Sequence, residues 1–259
     1  MTRFVCRSAL ADDLAALGVS PGDTLLVHAS LRSLGHVVGG ATAVVSALLD
    51  AVGPGGTVVA PAYTPENRDP SRWTDPVVPV ELWPLIRASI PAFEPALTPS
   101  AGVGAIAERI RTWPGAVRSA HPQTSFAAIG PRAETLMAEH APESPLGERS
   151  PLARLERAGA SALLLGVGYD RCTAFHLAEY RLPDPPRRTH GCAVTTASGR
   201  EWITFDSVAL DASDFPQLGA AFTANRTVPT GQVGAACAAL VPIATAVAFA
   251  LDWFRAHRR

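Results

Sequence analysis

His176 and Glu179 form the pair of side chains whose types and spacing are most suited to catalysis. They lie in the run from Asp170 to Tyr180, which follows the most apolar predicted strand, residues 162–167. On a helix, residues at positions i and i+3 share one face, so we expect the imidazole and the carboxylate to form a hydrogen bond. Such a carboxylate fixes the tautomer of the imidazole and raises its basicity, as a general base requires. The same spacing also occurs in surface pairs on solvated helix faces, and an isolated pair favours that interpretation.

Two further residues of this run could contribute chemistry. Thr173 precedes His176 by one helical turn, so the spacing predicts it on the same helix face as His176 and Glu179. Cys172 lies one position earlier, and a nucleophile pair of Cys172 with His176 is a weaker alternative. Under that alternative the protein would be a hydrolase or a thioesterase.

A polar loop with several glycines follows the first predicted strand, residues 24–28. The loop contains the run Ser30–Ser33 and the pair Gly39–Gly40, and it leads into a predicted helix over 43–51 with Thr42 as its N-cap. Hydroxyls and glycines between a strand and a helix can bind a phosphate group through backbone N–H groups. The spacing matches neither a P-loop nor the G-x-G-x-x-G motif of dinucleotide sites. The residues alone fit a phosphate site and an ordinary connecting loop equally well.

Composition excludes several classes of enzyme. All 22 basic residues are arginines, so a Schiff-base lysine, pyridoxal-phosphate chemistry and a Walker-type lysine are ruled out. The formal net charge of −1 gives no electrostatic reason to expect nucleic-acid binding. The sequence lacks the G-x-S-x-G motif of α/β-hydrolases and the H-E-x-x-H zinc motif, and we expect no metal.

Cysteine usage and apolar segments indicate where the protein resides. The 4 cysteines show no C-x-x-C spacing, and we expect reduced thiols. The first residues lack the apolar region of a signal peptide. The longest apolar stretch, residues 235–251, is interrupted by Pro242 and is predicted to be a core helix rather than a membrane span. We expect a cytoplasmic protein without membrane contact, as a monomer or a homodimer.

The elements that must position these residues alternate between strands and helices. Strands are predicted over 24–28, 57–60, 125–129 and 162–167, with a hairpin over 192–205. Helices are predicted over 9–17, 43–51, 102–111, 133–140, 151–158 and 243–256. The loop histidine His121, held extended by Pro122, is interpreted as a surface residue. We expect one α/β domain over residues 1–259, with a central, largely parallel or mixed sheet flanked by helices, a proline-rich loop region at 61–100 and a C-terminal hairpin.

Taken in order, these segments resemble the aminoglycoside 3-N-acetyltransferase family, whose members use acetyl-CoA and differ in fold from the GCN5-type enzymes. The matching motifs keep the order of the family over nearly the whole chain. They are LVHASLRSLG at 26–35, VGG at 38–40, VGPGGT at 52–57, Arg118–Ser119 with His121–Pro122, SPLG at 144–147 with SPL at 150–152, LGVG at 165–168 and HLAEY at 176–180.

The resemblance implies direct transfer of acetyl from acetyl-CoA to an amine, ordinarily the 3-amine of a 2-deoxystreptamine aminoglycoside. It implies that His176 is the general base, that Glu179 orients it, and that Thr173, or a backbone N–H near it, stabilises the oxyanion of the thioester. The CoA-binding residues that it implies are Ser30, Leu31, Arg32, Ser33, Val38, Gly39, Gly40 and Ser125. A protein that binds CoA or an aminoglycoside without catalysis is an alternative, and the intact pair of His176 and Glu179 argues against it.

The acceptor pocket is expected to contain carboxylates, because aminoglycosides are polycations. The proposed acceptor contacts are Tyr63, Glu66, Asp69, Asp170, Cys172 and Asp206, and further candidate carboxylates are Asp75, Glu81, Asp211 and Asp214. Cys172 stands where the family commonly has asparagine. The segments 61–100 and 206–230 match the family least and are expected to border this pocket. If these carboxylates point away from the site, an acyl-CoA-dependent N-acyltransferase acting on a different amine is the favoured alternative.

Overall fold

A strand–helix–strand unit in the first quarter of the chain forms the centre of the fold. The computed structural model describes residues 4–258. Its first elements are β1 (Phe4–Val5), α1 (Arg7–Leu17), β2 (Thr24–Ala29), β3 (His36–Val37), α2 (Gly40–Val52) and β4 (Thr57–Pro61). Strands β2 and β4 pair in parallel, as predicted for two strands joined through a helix.

The remaining elements add strands on both sides of this unit and helices on both faces. They are α3 (Trp83–Ser89), α4 (Gly104–Arg111), β5 (Val117–Arg118), β6 (Phe126–Ile129), α5 (Ala133–Met137), α6 (Pro151–Arg157), β7 (Ser161–Leu165), α7 (Phe175–Tyr180), β8 (Arg187–Thr196), β9 (Gly199–Val208), α8 (Phe215–Asn225), β10 (Thr230–Val233), β11 (Ala236–Pro242) and α9 (Ile243–His257). Helices α3 and α8 are not among the predicted elements.

The central sheet has seven strands in the order β10-β11-β7-β2-β4-β6-β5. It is parallel only at its centre, where β2 lies between β7 and β4, and its outer pairs are antiparallel. Successive residues of β2 face opposite sides, so Leu26 packs in one hydrophobic cluster with α5 to α9, whereas Leu25 and Val27 pack in another with α1, α2 and α4. The expected mixed α/β fold is confirmed.

Two local predictions are wrong for identifiable reasons. Thr42 is not the N-cap of α2, because Gly39 takes that position and positive φ angles of 86° and 58° at Gly39 and Gly40 let the helix begin earlier. The apolar segment 235–251 is not one helix. Its first part is β11, which pairs with β7, and α9 begins only after Pro242. No helix within residues 4–258 is long and apolar enough to cross a membrane.

The hairpin of β8 and β9 forms a sheet of its own, and Asn67 is one of several residues that connect it to the proline-rich segment. The Asn67 amide donates to the carbonyl of Ala193 at 2.9 Å and accepts from the N–H of Ala193 at 2.9 Å. This pair of bonds satisfies the backbone of β8 as a neighbouring strand would. The neighbouring Gln123 donates to the carbonyls of Asn67 and Gly191, at 2.8 Å each.

Candidate active site

A cleft of about 910 Å³ opens where β2 and β7 end. Because these strands are parallel, their carboxyl ends meet at one edge of the sheet, where ligands of open α/β sheets bind. The loop after β2 and the segment 166–173 after β7 form one side of the cleft. Pro61, Tyr63, residues 102–105 and residues of the segment 210–215 also line it.

His176 and Glu179 are brought together as predicted. The imidazole Nδ1 lies 2.6 Å from the Glu179 carboxylate, and the side chain of Glu179 is only 3% exposed. Since a carboxylate can only accept, Nδ1 carries the proton and Nε2 keeps the lone pair that a base needs. The imidazole lines the cleft and packs against the ring of Phe215, with 4.7 Å between centroids.

The other oxygen of Glu179 is also fully engaged. It accepts from Arg258 at 2.5 Å and from the N–H of Asp211 at 3.0 Å. Arg258 in turn forms two bonds to Asp214, at 2.7 and 2.6 Å. A buried carboxylate requires such partners to remain charged. No local pattern in the sequence indicates Arg258, because it reaches the site from beyond the end of α9.

His28 is a second histidine of the cleft, to which the sequence analysis assigned no role. It lies near the end of β2, and its Nε2 is buried with no hydrogen-bond partner among the described residues. Burial, together with the neighbouring His176, lowers the pKa of His28 to about 4. The imidazole of His28 is therefore neutral at neutral pH.

Thr173 lines the cleft, but it does so from the turn before α7 and not from the helix itself. Helix α7 begins at Phe175, so the prediction that Thr173 shares a helix face with His176 is wrong. The preceding turn instead places Thr173 in the cleft wall, where its hydroxyl lies 3.4 Å from the hydroxyl of Tyr63. Burial raises the pKa of Tyr63 to about 12, so its hydroxyl stays protonated and can donate.

Cys172 has no exposed side-chain surface, and its thiol lies in the hydrophobic core. Burial raises the pKa of this thiol to about 12. A nucleophilic cysteine needs a lowered pKa and access to substrate, so the structure argues against the Cys/His pair. The same burial leaves the side chain of Cys172 without a surface for an acceptor, although Cys172 is among the residues that border the cleft.

The residues predicted to bind CoA divide into two groups. Ser30, Leu31 and Arg32 line the cleft, and Ser33 supports them through bonds from its hydroxyl to Ser30 Oγ at 2.9 Å and to the carbonyl of Gly166 at 3.1 Å. The others are not among the described residues that line the cleft. Val38, Gly39 and Gly40 lie at the start of α2, and the fully buried Ser125 bonds to Ala62 and Arg118.

Sequence reasoning missed the start of α4 as part of the site. Gly102 and Gly104 line the cleft with positive φ angles of 74° and 85°. The first N–H groups of a helix have no partners within it and attract negative charge. Backbone contacts of this kind leave no side-chain signature beyond the glycines themselves.

Most of the predicted acceptor carboxylates lie away from the cleft or are already paired. Among the described residues, Asp170 lines the cleft, and it forms an ion pair with Arg171 at 3.0 Å. Asp69 forms two bonds to Arg87, at 2.8 and 3.0 Å. The exposed Asp206 accepts from Thr189 at 2.6 Å. Outside the cleft lining lie Glu66, Asp75 and Glu81, which are exposed, together with Asp211 and Asp214.

His121 is buried rather than exposed, which corrects its interpretation as a surface residue. Its Nδ1 accepts from the N–H groups of Gln123 and Thr124, at 3.0 Å each, and Nε2 donates to the carbonyl of Pro142 at 3.2 Å. His121 therefore holds the loop that carries Thr124, another residue of the cleft. Across residues 4–258, no group of three or more histidine, cysteine or acidic side chains is arranged to hold a metal ion.

The family model for aminoglycoside 3-N-acetyltransferase matches residues 26–255. The chain therefore belongs to the aminoglycoside 3-N-acetyltransferase family, and it is an N-acetyltransferase. Among its relatives, the SPbeta prophage-derived aminoglycoside N(3')-acetyltransferase-like protein YokD of Bacillus subtilis is 40% identical over 96% of this chain and 92% of its own. The aminoglycoside N(3)-acetyltransferase VIII of Streptomyces fradiae is 37% identical over 98% and 93%.

Solved structures agree with this assignment. The crystal structure of YokD superposes with a TM-score of 0.96, covering 98% of this chain and 94% of that one. A binary complex of AAC-IIIb with CoASH superposes with a TM-score of 0.88 at 33% identity, covering 98% and 97%. AAC-VIa bound to sisomicin superposes with a TM-score of 0.87 at 35% identity, covering 98% of each chain.

Proposed function

We propose that this protein transfers the acetyl group of acetyl-CoA directly to a primary amine, with His176 as the general base. The observation that carries the proposal is the bond between Nδ1 of His176 and the buried Glu179, which leaves Nε2 in the cleft as a base. A protonated amine has no lone pair, so Nε2 first takes one proton from the ammonium, and the neutral amine then attacks the thioester carbonyl. The C–S bond then breaks and the leaving sulfur receives the second proton that the nitrogen loses, which yields the amide and the thiol of CoA.

Thr173 and Tyr63 are proposed to stabilise the negative charge that develops on the thioester oxygen. Their hydroxyls are close enough for one to support the other, which leaves a donor free to point into the cleft. A preoriented donor of this kind stabilises the transition state more than the substrate.

The proposed CoA site combines residues 30–32 with the first turn of α4. The positive end of the helix dipole and the guanidinium of Arg32 suit the phosphate groups of CoA. The complex of AAC-IIIb with CoASH supports this co-substrate. No metal is part of the proposed mechanism.

The first candidate acceptor is the 3-amine of an aminoglycoside. The sisomicin complex of AAC-VIa and the name of the Streptomyces fradiae relative support it. The second candidate is a different amine, and the lining of the cleft favours it. Apart from Arg32, which is assigned above to CoA, Arg68 and Arg171 line the cleft alongside Asp170, whose carboxylate Arg171 already holds. This charge pattern repels a polycation.

Release of CoA thiol tests the proposal. Purified protein with acetyl-CoA is given aminoglycosides with a free or a blocked 3-amine, and small primary amines in parallel. We expect thiol release only when an amine is present. Release that disappears on blocking the 3-amine supports the aminoglycoside, and release with other amines alone supports the second candidate. Release without any amine would overturn the proposed transfer in favour of thioester hydrolysis.

A further inference from the structure

A second cavity of about 220 Å³ adjoins the catalytic cleft and shares Arg68, Thr124 and Leu210 with it. We call it the arginine recess. Its walls come from the proline-rich segment at 68–72, the loop at 123–124 and the β8–β9 hairpin. The volume is several times the share of about 30 Å³ that one water molecule occupies in the liquid, so a small ligand group fits.

The charges that line the arginine recess are predominantly positive. Arg68, Arg72 and Arg188 contribute guanidinium groups, and the one lining carboxylate, Asp69, is already held by Arg87. Within the described part of the chain, none of the three lining arginines forms an ion pair of its own. The carboxylates of Glu66 and Asp206 are exposed, and they affect Arg68 and His190 only through longer-range electrostatic attraction.

His190 lines the recess together with the three arginines. Its ring stacks on Phe205 with 5.4 Å between centroids, and its Nε2 is buried without a hydrogen-bond partner among the described residues. Burial lowers the pKa of His190, and the charges of Arg188, Arg72 and Arg68 lower it further. The recess therefore contains unpaired positive charges beside an imidazole nitrogen with unused hydrogen-bonding capacity.

We propose that the arginine recess binds a phosphate group carried by the acceptor, so that the substrate is a phosphorylated amine. This inference rests on the proposed acetyl transfer and replaces the polycationic acceptor with an anionic one. Guanidinium groups bind phosphate through charge-assisted and bidentate hydrogen bonds, and several arginines around one cavity suit an oxyanion. The phosphate groups of CoA share this chemistry, so the experiment must separate the two sources.

The binding experiment saturates the protein with CoA and then titrates inorganic pyrophosphate by calorimetry. CoA occupies its own site, so any further binding reports on a second anion site. We expect saturable binding that weakens at least about 10-fold in Arg72→Gln combined with Arg188→Gln. Arg255→Gln, which removes an exposed arginine of α9, is the matched control and leaves the binding unchanged. Absence of binding by the CoA-saturated protein would overturn the proposal.

The source of the phosphate is tested with acetyl-CoA and acetyl-dephospho-CoA in the same variants. If the recess serves the acceptor, the double variant changes the KM of neither thioester by more than about 2-fold, because these arginines do not contact CoA. A large rise in the KM of acetyl-CoA that vanishes with the dephospho analogue would assign the arginines to CoA and contradict the proposal.

Turnover distinguishes failure of the inference from failure of the proposed function. Phosphoethanolamine is compared with ethanolamine, and we expect a higher kcat/KM for the phosphorylated amine that the double variant abolishes. If no amine of any kind releases thiol, the proposed acetyl transfer fails, while the pyrophosphate titration still decides the recess. If aminoglycosides are acetylated and pyrophosphate does not inhibit, the transfer stands and the inference fails.

Discussion

The catalytic cleft and the adjoining arginine recess differ in how their charges are paired. Around the base, both oxygens of Glu179 are occupied, by His176 on one side and by Arg258 with a backbone N–H on the other. In the arginine recess, Arg68, Arg72 and Arg188 line a cavity with no ion-pair partner in the described chain. A charge satisfied within the protein positions its neighbours, whereas a charge left without a partner is available to a ligand.

The largest expected effect is on the base itself. His176→Ala should lower kcat by at least about 100-fold, because general-base catalysis contributes this much or more. The affinity for CoA, measured by calorimetry, should stay within about 2-fold if His176 acts on the proton and not on CoA. Thiol release at the rate of the unmodified protein would exclude His176 as the base.

Glu179→Gln tests whether the paired charges around Glu179 position the imidazole of His176. The amide keeps the shape but can donate to Nδ1, which favours the wrong tautomer, so we expect kcat to fall by about 100-fold with KM little changed. Loss of the charge also leaves Arg258 facing an amide, and the free energy of unfolding should fall by about 2 kcal/mol. Denaturant unfolding and steady-state kinetics measure the two effects. If kcat is unchanged in a destabilised variant, Glu179 has a structural role only and does not position the base.

His28 adds to this comparison, because it lies in the catalytic cleft and yet its Nε2 has no hydrogen-bond partner among the described residues. Its pKa is about 4 in the folded protein and near the ordinary 6.5 in the unfolded chain. Between these pH values the unfolded chain binds more protons, so stability falls as the pH falls from 6.5 towards 4. This histidine should contribute a loss of about 3 kcal/mol across that window.

The check is urea unfolding of the unmodified protein and of His28→Gln at the two ends of this window. Other buried histidines such as His121 titrate in both proteins, so the difference between the two pH dependences isolates His28. Identical pH dependences would show that His28 is not held neutral by the fold.

The smallest effect is expected for Cys172→Ala. The thiol is fully buried, so the substitution should lower the free energy of unfolding by about 1 kcal/mol and leave kcat within about 2-fold. Thiol-release kinetics and thermal unfolding provide the test. Loss of turnover in a folded variant would instead support Cys172 as the nucleophile.

Local spacing predicted contacts but not the site. Three positions on α7 place His176 and Glu179 on one face, and residues 30–32 reach the cleft because β2 ends at the ligand-binding edge of the sheet. Spacing alone favoured a surface pair and left the loop undecided, and the resemblance to the family was needed to assign both to a site. Arg258 could not be predicted, since it contacts Glu179 only through the packing of α9. The start of α4 was missed because its contribution is backbone N–H groups.

The acceptor side could not be inferred from composition. The expectation of carboxylates came from the charge of an assumed aminoglycoside, and it did not consider which arginines lie nearby in the fold. Asp69 illustrates the difficulty. It borders the arginine recess as an acidic residue should in an aminoglycoside pocket, yet Arg87 from α3 occupies both of its oxygens.

The attachment of the β8–β9 hairpin has a consequence for how this scaffold can diversify. The hairpin supplies Arg188 and His190 to the recess but shares no backbone pairing with the central sheet that supports the base. Asn67, Gln123 and Phe93 bond to the backbone of β8, and the side chains of Thr195 and Arg200 add bonds to the proline-rich segment. Neither Arg188 nor His190 is among these attachments. Substitutions on this ribbon can therefore alter acceptor preference while the inherited chemistry of the catalytic pair persists, so that selection can act on the two independently.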